Sequence, residues 1–163
     1  MAATNISAAT RFTSRGSTVI YWLTTIASPT TAVTRAELDA GKNLSPQIMD
    51  GSGFTVSSDQ IDAPDMATRF TSKIAGAITA EDSTLTMYAS KTGVDARQLM
   101  AQDTPGYIVI LYGGDVAGQK MDVWPVTVSS VAKQISFQGS DPDTLVFTYS
   151  PTAVPTSTLA IPA

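Results

Sequence analysis

GYIVILYGGDVAGQKMDVWPVTVSSVAK, residues 106–133, is the stretch on which the fold turns. Residues 107–112 are an unbroken run of β-branched, aromatic and aliphatic side chains; Gly113, Gly114 and Asp115 interrupt it, and a second run rich in Val and Thr starts at Lys120. Two strands joined by a glycine-rich turn are what such punctuation supports. In the second strand the apolar positions are Met121 and Val123, then Val126 and Val128, so the inward parity changes at Pro125. A β-bulge at Pro125 is expected, because it would accommodate both the slip and a proline.

Outward from this hairpin the chain keeps the same character. Upstream, residues 83–89 alternate, with Leu85, Met87 and Ala89 on one face. Residues 95–102, with Val94, Leu99 and Met100, read as the one proper helix, Asp95 opening it and Pro105 and Gly106 stopping it. Downstream, residues 134–138 carry Ile135 and Phe137 inward, and residues 144–150 carry Leu145, Phe147 and Tyr149 inward, about a turn at 139–143.

Nearer the N-terminus, residues 17–25 hold Val19, Ile20, Tyr21, Trp22 and Leu23 without alternation, as expected of a core strand covered on both faces. TRAELDAG, residues 34–41, carries a short helix signal: Thr34 and Glu37 can form a reciprocal capping box, and Gly41 can supply a left-handed stop. Residues 54–58 read as a short strand with Phe54 and Val56 inward. Residues 59–82 are sparse in apolar side chains. There Arg69, Thr71 and Lys73 share one parity, Phe70, Ser72 and Ile74 the other, giving a strand or hairpin arm with one polar and one thinly apolar face.

The ends differ from the middle. Residues 1–16 are small and polar with Arg11 and Arg15, an arm that could order against a neighbour. Residues 151–163, PTAVPTSTLAIPA, have three prolines and no charge; they should be extended, with Leu159 and Ile161 docked on the same or a neighbouring subunit. Seven or eight short strands with a single helix give a mainly β fold: a β-sandwich or small barrel with one flanking α-helix, a long loop or hairpin arm and extended termini. The 163 residues suit a single domain.

The composition excludes much chemistry. With no cysteine and no histidine, thiol chemistry, thiolate metal sites and imidazole bases are absent. A net charge of −4 with 15% charged residues does not suit a protein that neutralises phosphates; an acidic wall would repel DNA instead. The N-terminus has no signal-peptide core and no apolar run is long enough to span a bilayer, so the expectation is a soluble product made in a cytoplasm, with no cofactor and no membrane partner.

Motif fragments do not change this. Gly113, Gly118 and Lys120 fall near the positions of a phosphate-binding loop, but Gln119 separates the glycine from the lysine and Met121 stands where a hydroxyl should bind Mg²⁺. Ser130 to Lys133 spells Ser-x-x-Lys, and Lys91 to Gly93 spells Lys-Thr-Gly, in the reverse of the order that penicillin-recognising enzymes use. Carboxylate pairs at Asp62 and Asp65, Glu81 and Asp82, or Asp141 and Asp143 read as loop pairs flanking turns, whereas a carboxylate-dependent hydrolase would need two that converge across a cleft. Trp22, Tyr88 or Trp124, if exposed, would instead support a carbohydrate-binding module or adhesin.

GYIVILYGGDVAGQKMDVWPVTVSS, together with TRAELDAGKNLSPQIMDGSGFTVSSDQIDAPDMATRFTSKIAGAITAEDSTLTMYAS, resembles the major tail, or tail tube, proteins of long-tailed bacteriophages, particularly those of actinobacteria. The resemblance covers residues 34–130. It implies a virion protein whose copies form hexameric rings stacked into the tail tube, the conduit for DNA ejection. Partners would be further copies, other tail proteins such as the tape measure, terminator and distal tail proteins, and genomic DNA that passes without specific binding. No catalytic residue is implied. The segments with least core content are the expected inter-subunit contacts: Arg11 and Arg15; Asp65, Arg69, Phe70, Lys73, Ile74 and Asp82; Leu159 and Ile161.

Overall fold

The computed structural model describes residues 9–28, 33–93, 95–137, 139 and 141–163. Residues 1–8 of the expected N-terminal arm lie outside these, as do 29–32, Val94, Gln138 and Ser140. In chain order the elements are β1 (Val19–Leu23), α1 (Arg35–Ala40), β2 (Lys42–Asn43), β3 (Ile48–Ser52), β4 (Val56–Ala63), β5 (Ser72–Ala80), β6 (Ser83–Tyr88), β7 (Pro105–Leu111), β8 (Lys120–Gln134), β9 (Thr144–Pro151) and β10 (Thr156–Ala160). One antiparallel sheet runs β2-β1-β7-β8-β9-β6-β3, with β10 added beside the first part of β8; β4 and β5 pair only with each other. The mainly β architecture is as the alternation indicated.

The β7–β8 hairpin pairs without interruption, from Pro105 opposite Thr127 to Leu111 opposite Met121. There is no bulge at Pro125. The parity changes because the apolar environment changes sides along an evenly alternating strand. Met121 and Val123 point into one core, and Trp124, Val126 and Val128 point into another.

Pro125 is tolerated for a separate reason. Its carbonyl accepts from Thr152 N at 3.0 Å, on the side of β9 and β10. The N and C=O of an extended residue face the same edge, so the missing N–H faces the gap between the end of β9, where Pro151 is opposite Val126, and the start of β10, where Thr156 is opposite Val123. The irregularity of β8 lies further on, against β9, between Val128 and Ser130.

The sheet curls so that β1, β7, β8, β9 and β6 all line the first core, which holds Trp22, Ile108, Trp124, Phe147, Tyr149, Leu85 and Met87 and is closed by Leu44, Ala96 and Met100. Phe147 stacks on Tyr149 with ring centroids 6.4 Å apart, and Tyr149 donates its hydroxyl to Met100 Sδ at 3.3 Å. The second core lies on the opposite face, where Leu23, Val109, Leu111, Met121 and Val123 meet Leu38 of α1 and Ile161. Each large apolar side chain so buried contributes about 1.5–3 kcal/mol. Residues of β1 therefore read without alternation because Trp22 faces one core and Leu23 the other.

Four local expectations are corrected. The α-helix is Arg35–Ala40, and only a single 3₁₀ turn, Ala96–Gln98, forms where a helix over 95–102 is expected. The buried Asp95 carboxylate accepts from Ser90 N, Arg97 N and the Arg97 guanidinium, which holds the segment as a tight loop. The Thr34–Glu37 capping box is present, but Gly41 has φ −65° and is no left-handed stop; a Cβ there would crowd Leu38 O and Leu23. Ile135 and Phe137 are not inward: β8 ends at Gln134 and Phe137 is 89% exposed, because the sheet that would cover them has ended. Phe54 does reach the first core, but from the short link between β3 and β4 and not from a strand, and Val56 belongs to the exposed arm.

Candidate assembly surfaces

β4 and β5 form a hairpin that stands apart from the main sheet. A β-bulge between Ser58 and Gln60 shifts the register, so Val56 opposite Ala80 and Ile61 opposite Ile74 fall on one face together with Ile78. That face is apolar yet open to solvent, with Ile61, Ile74 and Ile78 between 52 and 60% exposed. The other face pairs Asp62 with Lys73, whose charged groups are 3.3 Å apart, and Ser57 with Thr79. A lone two-stranded hairpin is marginal in water, and an uncovered apolar face marks a contact surface.

The body carries a second unfinished surface. Cross-strand partners share a face, which places Asp50 and Ser52 of β3, Thr84 and Thr86 of β6, Val146, Thr148 and Ser150 of β9 and Thr127, Ser130 and Ala132 of β8 together, pointing away from the first core. It is a carpet of hydroxyls, with Ser52 and Thr84 hydrogen-bonded at 2.8 Å, and Asp50 is the charge among these positions.

Both edges of this four-stranded stretch are open. β3 ends the sheet order, and β7 leaves β8 at Thr127, so residues 129–134 have no partner strand on that side among the described residues. Neither edge carries a proline; each carries one charge, Lys133 on one and Asp50 on the other, and their unpaired backbone groups can take a further strand.

The residues singled out in the sequence fall into three groups. Asp65, Arg69, Phe70, Lys73 and Ile74 come together on the hairpin: Asp65 organises its tip by accepting from Ala67 N and Thr68 N at 2.8 Å each, and Phe70 is exposed beside it. Asp82 sits at the hairpin's root, next to Gly53. Arg11 and Arg15 are exposed in the segment before β1, separate from the hairpin in sequence.

Leu159 and Ile161 dock on their own chain, one of the two possibilities left open. Ile161 is buried in the second core, with its N–H donating to Gln119 O and its carbonyl accepting from Gly118 N. The exposed face of Val56, Ile61 and Ile78, and the exposed Met49, Ile135 and Phe137 around the β8–β9 turn, are not evident from sequence. Even-numbered parity along residues 72–80 would have revealed Ile74 and Ile78; the bulge conceals that Ile61 joins them.

The sugar-stacking alternative loses its platform. Trp22 and Trp124 are 1% and 3% exposed and belong to the first core, leaving Tyr88 as the exposed member of that trio. With the tryptophans buried, the exposed apolar face of the hairpin and the two open edges are the unsatisfied surfaces among the described residues.

The chain belongs to the phage tail tube protein family, whose model matches residues 7–163. Its role is structural, in the tail of a virion, and not enzymatic. A search of curated protein sequences finds no match.

Among solved structures it is similar to a chain of the sheath–tube complex of an extracellular contractile injection system in the extended state, with TM-score 0.60 and 12% identity over 86% of this chain and 88% of that one. It is also similar to a chain of the sheath/tube terminator of such a system, with TM-score 0.63 and 11% identity over 91% and 99%. A chain from the virion of a native gene transfer agent particle gives TM-score 0.52 and 10% identity over 73% and 89%. At these identities the likeness concerns the fold.

Proposed function

We propose that copies of this chain close side by side into hexameric rings, that the rings stack head to tail, and that genomic DNA passes through the resulting channel. The observation that carries the reading is the pair of open edges on opposite sides of one four-stranded stretch. Strand directions alternate along β8, β9, β6 and β3, so β3 of one copy laid beside residues 129–134 of β8 in the next continues the antiparallel order. Repetition around an axis closes a barrel and removes both edges. The number six comes from the family resemblance.

The hydroxyl face then lines the channel. A wall without cations gives a polyanion nothing to bind, and Asp50 adds a weak repulsion that keeps the DNA mobile. The hairpin reaches the adjacent ring with its apolar face, and the N-terminal segment with Arg11 and Arg15 adds contacts there. Heterologous contacts of this kind close around the axis and stay open along it, which is filament geometry. Tape measure, terminator and distal tail proteins would meet the tube at its interior and ends, and assembly would take place in the host cytoplasm. The terminator named among the similar structures is in keeping with such ends.

The lateral contact is testable by cross-linking, since the chain has no cysteine of its own. Asp50→Cys and Ala132→Cys, combined in one chain and treated with a short bismaleimide after assembly, should give a denaturing-gel ladder that ends at six copies. Assembled particles that yield no ladder would overturn the edge-to-edge ring.

A further inference from the structure

We infer that Phe54 is a positioning residue, a strained elbow that fixes the direction in which the β4–β5 hairpin leaves the body. The inference rests on reading that hairpin as a contact arm. Two consecutive residues at its root, Gly53 and Phe54, have positive φ, +86° and +57°. Gly53 admits no other residue, because a Cβ there would lie 2.6 Å from Ser83 Cα and 2.7 Å from Asp82 O. Phe54 is the informative one: a bulky residue adopts the left-handed region only where its surroundings over-determine it, and such strain gathers at hinges and contact sites.

The surroundings that hold it are identifiable. The Phe54 ring meets the buried Trp124 edge to face, with centroids 5.4 Å apart and planes at 82°. Beyond the elbow, the hydrogen bonds at the root are made within the hairpin itself, Glu81 N to Thr55 O at 3.2 Å and Thr55 Oγ1 to Glu81 Oε2 at 3.4 Å, and beside the large ring of Phe54 only the single methyl of Ala80 packs from the hairpin onto the first core among the described residues.

There is space for that angle to change. An open groove of about 240 Å³ separates Val56, Ile78 and Ala80 from the β9–β10 connection at Pro151, Val154 and Pro155. Swinging the hairpin across it would hide part of its apolar face against its own chain. The ring of Phe54, anchored on Trp124, keeps the hairpin raised and its apolar face presented, so less freedom is lost when a neighbour docks.

The test places spin labels at Met66→Cys, on the hairpin tip, and Ser130→Cys, on the body, and measures their distance distribution in dilute subunits. Phe54→Gly tolerates the left-handed backbone and removes the anchor but also loosens the chain, so Phe54→Asn, which suits the same φ without glycine's freedom, is measured beside it and must widen the distribution as well. The distribution should be narrow with Phe54 and at least twice as wide with Phe54→Gly, and the concentration needed for polymer should rise at least tenfold. An unchanged width, or a wider one with an unchanged threshold, overturns the inference. Should Phe54→Gly not fold, Phe54→Leu removes the ring contact in its place, with the same two outcomes. If the parent never polymerises, the tube reading fails, while the two widths still decide the elbow.

Discussion

Arg35 and Asp115, 80 positions apart, are joined by two parallel hydrogen bonds, Nη1 to Oδ1 at 2.6 Å and Nη2 to Oδ2 at 2.8 Å. Arg35 Nε also donates to Asp39 at 2.9 Å, and Asp115 accepts from the Tyr21 hydroxyl at 3.2 Å. One carboxylate thus ties α1, β1 and the β7–β8 turn, and seats the helix over the second core. The Arg35 guanidinium holds the Asp115 carboxyl below its ordinary range, while burial and the neighbouring Asp115 charge push the Tyr21 hydroxyl up.

Asp115→Asn keeps the shape of the turn and removes the charge-assisted pair. The urea midpoint should fall with the slope unchanged. Because the native carboxyl is depressed, its contribution is present above the ordinary carboxylate range and is lost in acid, so the gap between variant and parent should close as pH falls.

Asp95 provides a second acid-sensitive tie with a defined window. Its hydrogen bond from Arg97 lowers its pKa from 3.8 to about 2. Its stabilisation is complete above about 3.8 and fades as pH falls through about 2. Asp95→Asn should therefore be less stable than the parent at neutral pH and converge with it between those values in acid titrations followed by circular dichroism.

Phe147 and Phe137, which the alternation placed alike, should respond in opposite ways. Phe147 is fully buried in the first core, and Phe147→Ala should cost about 3–5 kcal/mol in chemical denaturation. Phe137 is exposed beyond the end of β8, and Phe137→Ala should change stability by less than about 0.5 kcal/mol.

Gly106 lets β7 pass under Trp22. A Cβ there would lie 2.4 Å from Trp22 Cζ2 and 2.9 Å from Leu23 O. Gly106→Ala should destabilise by about 1–3 kcal/mol, read as a lower denaturant midpoint.

What the sequence made legible follows from how many faces of a strand are buried. β6 and β9 show Leu85 and Met87, and Leu145, Phe147 and Tyr149, at every second position because one face meets a core and the other does not. β8 crosses from one core to the other, and alternation alone cannot distinguish that from a bulge. Ile135 and Phe137 continue the β9-like pattern past the point where the sheet can cover them.

The hairpin's low core content was plain in residues 59–82, but its apolar face was not. Pairing across a bulge brings Ile61 beside Ile74, and pairing is a property of two segments at once. The short helix was legible through Thr34 and Glu37, whose capping box is local; the expected helix after Asp95 failed because Asp95 spends its carboxylate on a loop.

Electron microscopy of the purified chain, across a series of concentrations and salt, tests the tube most directly. Hollow filaments of uniform width, built from stacked rings, are the expected result. A protein that stays monomeric throughout the series, by microscopy and by sedimentation, would contradict self-assembly through its own edges and hairpin.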